Sequence, residues 1–298
     1  MPHTLVIADR GYSSWSLRGW LLFDAFGLPV KTVVTRLYEP GFAETLAQFR
    51  PARTVPCLRF SDGPDHPSGS DGLVIAESLA IAEELASRHP ESGHWPAAPR
   101  ARAVARALAA EMHAGFTALR SHCPMNLRVS YQTCEPPEPV LADVQRLQEI
   151  WAWARRETGA SGPWLCGDYS VADAFFAPVA GRIAGYNLPV DAEAQAYVQA
   201  HLAHPSFRRW RAMGLVDGPD QPFYARDWPT RVWPGPTPLP AEACDGPSIN
   251  ATCPYSGLPV THFARIDGTT IGFCNAFCRD KTVADPQAWP AAMALLQP

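Results

Sequence analysis

The sequence predicts a small mixed α/β domain, then an all-α helical bundle, then a short cysteine-rich β-hairpin/helix module. Three observations carry this reading. Short β-branched runs alternate with helical patterns over residues 1–90, in the order βαβαββα. Residues 98–216 are helical in pattern throughout. Beyond them eight prolines fall between Pro219 and Pro247, and Cys244, Cys253, Cys274 and Cys278 crowd into the last 55 residues. A stiff proline-rich stretch before a thiol-dense tail reads as a linker over 217–249 and a separate module over 250–298.

Each element has a local reason. Thr4–Ala8 is a strand, and a helix from about Ser14 to Phe26 is closed by Gly27 and Pro29. Val30–Leu37 is a β-branched second strand, followed by a short helix over Phe42–Phe49. Pro56–Phe60 and Leu73–Ala76 are short strands close enough to pair antiparallel, with Ser61–Gly72 a turn by composition. The helix from Ser78 to Arg88 buries Ile81, Ala82, Leu85 and Ala86. Arg100–Ser121 is alanine-rich and helical, and Val140, Val144, Leu147 and Trp151 form one apolar helix face. Ser170-Val-Ala-Asp173 opens another helix as a capping box, and shorter helices occupy Ala192–His201 and Pro205–Met213. In the tail, two β runs flank Asp267-Gly268, a strong hairpin signal.

Composition excludes several classes. The 298 residues suffice for about two domains, and 47% apolar against 18% charged residues excludes wholesale disorder. A dispersed net charge of −4 argues against nucleic acid as the main partner. No apolar run is long enough to span a membrane, and Met1–Asp9 lacks the features of a signal peptide, so a cytoplasmic location is expected.

Three spaced features converge in the α/β part. Tyr12-Ser-Ser-Trp-Ser-Leu-Arg18 lies between the first strand and helix, where free N–H groups and the helix dipole stabilise an anion. Val55-Pro56 opens a strand, where a cis proline would leave the valine's backbone open to an extended peptide. Glu77-Ser78 starts the third helix, a second anion site with an acidic neighbour for an ammonium group. Two anion sites flanking a strand-like edge fit a short peptide with a thiolate at one end. Plainer readings stand beside this one: Ser13, Ser14 and Ser78 as helix caps, Cys57 as a packed core residue, and His113 and His122 as surface or packing residues. Trp151, Trp153 and Trp164 read as core or an interdomain wall. No Cys-x-x-Cys occurs in this part, which argues against disulfide exchange.

Over about residues 1–214 the chain resembles the cytosolic glutathione transferases. The Ser13–Arg18 run is similar to the zeta class, with Trp15 where that class usually has cysteine. Val55-Pro56 matches the family's cis-proline strand, Glu77-Ser78 its γ-glutamyl recogniser, and Ser170–Asp173 the helix-capping motif of its second domain. The resemblance implies a thioredoxin-like N-terminal domain, glutathione as co-substrate, a small electrophile as second substrate, and a homodimer. It implies that Ser13, with Ser14 as the alternative, donates a hydrogen bond to the glutathione sulfur and favours thiolate over thiol. Val55, beside Pro56, would pair its backbone with the cysteinyl unit, while Glu77 and Ser78 hold the γ-glutamyl end. Thr54 stands where the zeta class commonly carries glutamine. A glutathione transferase, a glutathione-dependent isomerase of the maleylacetoacetate type, and a glutathione- or metal-binding protein with weak catalysis all stay open.

In the tail, Cys274-x-x-x-Cys278 sets two thiols one helical turn apart, and Cys253 precedes them by a tight turn and the hairpin. Such thiolates suit zinc or another thiophilic metal, and a segment so poor in core needs a staple. About residues 250–290 resemble the small YHS-type metal-binding domain, in Cys-Pro-x-Ser-Gly-x-x-Val at Cys253–Val260 and Gly-Phe-Cys-x-x-x-Cys at Gly272–Cys278. Ser256 stands in place of a second knuckle cysteine. That leaves Cys253, Cys274 and Cys278 as ligands, with a fourth from Cys244, His262, an acidic side chain or water. The alternative is a metal-free hairpin and helix with reduced, buried thiols.

Overall fold

The computed structural model describes residues 2–61 and 72–296, so the turn expected over Ser61–Gly72 lies, except for its two end residues, outside the described residues. The N-terminal part contains β1 (His3–Ile7), α1 (Ser14–Asp24), β2 (Val30–Val34), α2 (Gly41–Ala47), β3 (Cys57–Arg59), β4 (Val74–Ala76) and α3 (Ser78–Arg88). Its sheet has the order β2-β1-β3-β4, with β1 parallel to β2 and antiparallel to β3. This is the thioredoxin-like arrangement that the resemblance implies.

The register positions the site. Val6 faces Cys57, and Cys57 faces Ala76. The chain leaving β1, the chain entering β3 and the chain leaving β4 therefore emerge at one end of the sheet. Those three segments carry Ser13–Ser14, Val55–Pro56 and Glu77–Ser78.

The second strand, expected to reach Leu37, stops at Val34. Asp9 takes the Leu37 backbone N–H at 2.7 Å and pairs with Arg36 at 3.0 Å, turning the chain off the sheet. α1 is buried from Ser16 to Phe23, a pattern that requires a partner on both sides. On one side Gly19 lies so close to Pro56 that an added Cβ would sit 2.7 Å from the proline's Cβ. On the other, Arg18 Nε donates to the Phe175 carbonyl at 3.1 Å.

The helical part comprises α4 (Pro99–Ala114), α5 (Thr117–His122), α6 (Glu138–Thr158), α7 (Val171–Tyr186), α8 (Ala192–Ala203) and α9 (Pro205–Val216). The single alanine-rich helix expected over Arg100–Ser121 is broken, because Gly115 is extended and Phe116 adopts φ 61° with its side chain buried. α7 is buried along its whole length. The capping box is present at its start: the Ser170 N–H donates to Asp173 Oδ2 at 2.9 Å. Trp151 belongs to the core, with Trp153 and Trp164 packed against it.

The proline-rich stretch differs from the extended connector that its composition predicts. β6 (Thr230–Arg231) pairs with β5 (Ser130–Tyr131), and β7 (Ala241–Cys244) joins the tail's sheet beside β8 (His262–Ile266) and β9 (Thr269–Phe273). Asp267 and Gly268 both have positive φ, the turn their hairpin needs. α10 (Ala276–Ala284) and α11 (Pro290–Met293) follow. The tail is also less separate than composition implies. Ala288, Trp289 and Ala292 belong to the same core cluster as the helical domain, and Arg208 of α9 grips Asp285 at 2.8 and 2.6 Å. Among the described residues no helix is long and apolar enough to cross a membrane.

Two predictions test this packing. Gly19→Ala should lower the unfolding free energy by about 1–3 kcal/mol, read from the denaturant midpoint, because Pro56 leaves no room for a methyl. His201 is held at about 3, chiefly by burial with His204 adding, and both its ring nitrogens lack partners among the described residues. In the unfolded chain this imidazole takes a proton near its ordinary value of about 6.5, so the unfolded state binds more protons below that pH. Stability should therefore fall as pH drops from about 6.5, and His201→Phe should flatten the dependence of the urea midpoint on pH.

Candidate functional site

The N-terminus of α1 opens onto a cleft of ≈ 390 Å³ whose walls include Ser13, Ser14, Trp15, Thr54 and Val55. The two serines occupy different chemical positions. Ser13 is the N-cap: its Oγ accepts from the Ser16 N–H at 3.4 Å and donates to Ser16 Oγ at 2.8 Å. Ser14, the first helical residue, receives Arg182 Nη2 at 3.3 Å. Among the described residues no acceptor takes the Ser14 hydroxyl proton. Arg182 comes from α7, and its Nε is fixed on the Cys123 carbonyl at 2.9 Å. Burial, then the neighbouring Arg120, pulls its guanidinium down to about 10, which leaves it charged at neutral pH.

Val55 reaches the cleft just ahead of β3, across a cis peptide bond to Pro56. Pro56 itself is buried beneath α1 and does not line the cleft. Glu77 and Ser78 lie at the same end of the sheet but outside the cleft's lining. Glu77 adopts φ 71°, a conformation costing a non-glycine residue about 1–3 kcal/mol and often found at ligand sites. Ser78 is fully buried at the start of α3, and its hydroxyl has no partner among the described residues. An unsatisfied hydroxyl at a helix N-terminus fits an anionic group. His113 packs edge-on against Trp15 with ring centroids 5.2 Å apart, and its Nε2 lies 3.6 Å from Glu77. Burial, then Arg18, holds the imidazole below its usual range, so this contact is weak at neutral pH. Cys57 is a packed core thiol, pushed up to about 12 by burial.

The charge of this cleft has no short-range signature in the sequence. Arg53, Arg120 and Arg182 line it, and among the described residues no Asp or Glu does. Arg18 is buried behind Trp15, its guanidinium 4.5 Å from the ring centroid, with Nη1 unpartnered among the described residues. Arg120 stands 4.7 Å from the same ring. Isolated arginines in helical stretches read as solvated, and only the packing of α5 and α7 around α1 brings them together. The same holds for Phe223 and Tyr224, which reach the cleft from beyond α9. A larger cavity of ≈ 810 Å³, lined by His94, Trp95, Arg102, Asp168 and the capping Ser170 among others, holds none of the candidate catalytic, glutathione-binding or metal residues.

In the tail, the Sγ atoms of Cys253, Cys274 and Cys278 all lie within 4.8 Å of one another, with Cys274 and Cys278 at 3.9 Å. A tetrahedral metal with bonds of about 2.3 Å to sulfur holds its thiolates about 3.8 Å apart. Among the described residues neither Cys244 nor His262 nor any acidic group completes the set. Ser256 Oγ and Asn275 Nδ2 each donate to Cys274 Sγ at 3.3 Å. Burial raises the Cys253 thiol, but backbone N–H groups at Tyr255, Cys274 and Ser256 outweigh it and bring it below its ordinary value. Burial drives Cys278 the other way, with neighbouring thiolates adding to the rise. Lys281 lies nearby, its ammonium 4.0 Å from the Tyr255 ring centroid and 3.8 Å from that of Trp289.

Residues 12–88 match the family described as glutathione S-transferase, N-terminal domain. No curated protein matches the sequence. Among solved structures, glutathione transferase Omega 2S from Trametes versicolor superposes with a TM-score of 0.56 at 21% identity, covering 75% of this chain and 99% of that one. Omega 1C from the same fungus gives 0.53 at 18% identity, covering 70% and 90%. A glutathione transferase homolog from Burkholderia gl BGR1, solved with bound glutathione, gives 0.51 at 22% identity, covering 72% and 98%. The structural neighbours of this chain are glutathione transferases, whose fold it shares, and residues 12–88 match the N-terminal domain of that family in sequence.

Proposed function

We propose that this protein binds glutathione at the common end of β1, β3 and β4 and presents its thiolate to a small electrophile. The observation that carries the reading is one cleft holding a helix N-terminus, two hydroxyls and the backbone of Val55, with cations and, among the described residues, no carboxylate in its walls. Val55 would pair its backbone with the cysteinyl unit. The α3 N-terminus and the unpartnered Ser78 hydroxyl would take the γ-glutamyl carboxylate, and Glu77 the ammonium group.

For thiol activation we favour Ser14 over Ser13. The Ser13 proton is engaged with Ser16, whereas Ser14 receives an N–H from Arg182 and keeps its own proton to donate. A hydrogen bond to a charged group contributes about 1.5–3 kcal/mol, equivalent to about one to two units of thiol pKa. The thiolate then attacks the electrophilic carbon, the carbon–sulfur bond forms, and the leaving group departs with its electron pair. Ser14→Ala should raise the pKa of bound glutathione, followed by ultraviolet thiolate absorbance, by about one unit and lower kcat/KM about tenfold at neutral pH. Ser13→Ala should cost about 1 kcal/mol of stability through the lost cap and leave the thiol pKa in place. The opposite pattern would transfer the role to Ser13.

We also infer that Cys253, Cys274 and Cys278 hold a thiophilic metal, zinc by its affinity for thiolate sets of this kind. Bound there, the metal would neutralise the three thiolates and cross-link the knuckle to α10. Loading the full chain with zinc near neutral pH should release about two protons per ion, and affinity should fall as pH is lowered because protons compete for sulfur. Calorimetry in buffers of different ionisation enthalpy measures this. Absence of both binding and proton release, with the thiols reduced, would refute the site.

A further inference from the structure

The segment after α9 is built into the cleft rather than passing it by. Asp217 pairs with both Arg10 and Arg36, and Asp220 with Arg128 at 2.7 Å. The Tyr12 hydroxyl accepts the Gln221 N–H at 3.2 Å. The Tyr224 ring lies on that of Tyr12 with centroids 4.9 Å apart, and the Tyr224 hydroxyl meets that of Tyr38 at 3.2 Å. Further on, the Arg226 N–H donates to the Tyr131 hydroxyl at 2.8 Å. The segment is thus tied to both domains on either side of Phe223 and Tyr224, which line the cleft together with Ser13 and Ser14. Phe223 is 68% exposed, a large apolar face left open at the cleft.

We propose that residues 217–228 complete the electrophile's site, and that the electrophile is a flat aromatic compound carrying a carboxylate. The proposal rests on the glutathione reading above. Phe223 and Tyr224, with Pro124 and Met125, supply an apolar wall on which a ring can stack. Arg120 supplies the charge. Among the described residues it has no ion pair and no acidic side chain shares the cleft; its Nη2 donates to the carbonyls of Met112 and His113. A guanidinium with spare donors beside an aromatic wall selects a ring bearing an anionic group. In the aromatic substitution this implies, the thiolate sulfur bonds to the ring carbon that carries a halide. The halide leaves with the electron pair of its bond, and the thiol proton passes to solvent.

The test compares 1-chloro-2,4-dinitrobenzene with 4-chloro-3,5-dinitrobenzoate on the full-length protein, each rate divided by its uncatalysed rate with glutathione, with glutathione affinity followed by calorimetry. The carboxylated acceptor should be preferred by about tenfold in kcat/KM. Arg120→Gln should abolish that preference and Arg120→Lys retain part of it, both with glutathione affinity intact. Phe223→Ala, at an exposed position where folding is not at stake, should raise KM for both acceptors several-fold without changing glutathione affinity. Equal use of the two acceptors, or an Arg120→Gln variant that loses glutathione affinity instead, would overturn this proposal while leaving the glutathione reading standing. Failure to bind glutathione at all would overturn both.

Discussion

The placement of α1 governs the rest of the site. Its first turn can present hydroxyls and free N–H groups to a ligand only because its body cannot move. Pro56 presses against Gly19 on the sheet side, and Arg18 is anchored to the α7 backbone on the other. The contact with Pro56 also fixes Val55, so the helix N-terminus and the open backbone edge are set by one packing event. α7 adds a second constraint by delivering Arg182 to Ser14. The cleft is thus assembled from two domains, and neither alone would hold its charge.

Several positive charges are kept close together in this region, which is costly without anions nearby. Arg18 is held well below its usual value, first by burial and then by Arg120 and Arg182. Backbone carbonyls and the Trp15 ring supply part of the compensation. The remainder is a standing attraction for negative charge, which the proposed thiolate would meet.

Much of this was legible in the sequence, and the reasons are local. Ser13, Ser14, Val55-Pro56 and Glu77-Ser78 stand out because caps, turns and strand entries have short-range chemical signatures, and the register of a small sheet then brings them to one end. Ser170–Asp173 was legible for the same reason. Arg120, Arg182, Phe223 and Tyr224 were not, because their roles depend on contacts between residues far apart in the chain. The break at Gly115–Phe116 was hidden by alanine's strong helix propensity, which packing of the Phe116 ring overrides. The proline-rich stretch misled most: composition speaks to stiffness and says nothing of the aspartates that pin it to Arg10, Arg36 and Arg128.

Arg209 gives the fused tail a meaning that a tethered module would not have. Its guanidinium grips Asp24, the last residue of α1, at 2.6 Å and also reaches the Ala288 carbonyl at 3.4 Å. The helix that offers its first turn to the cleft is therefore held at its last turn by the arginine that touches the tail. Thermodynamically, whatever binds and orders the tail is a ligand of the whole chain, raising the free energy needed to loosen α1 by mass action. Were the thiol cluster to hold an ion, its occupancy and the rigidity of α1 would be entries in the same linkage relation.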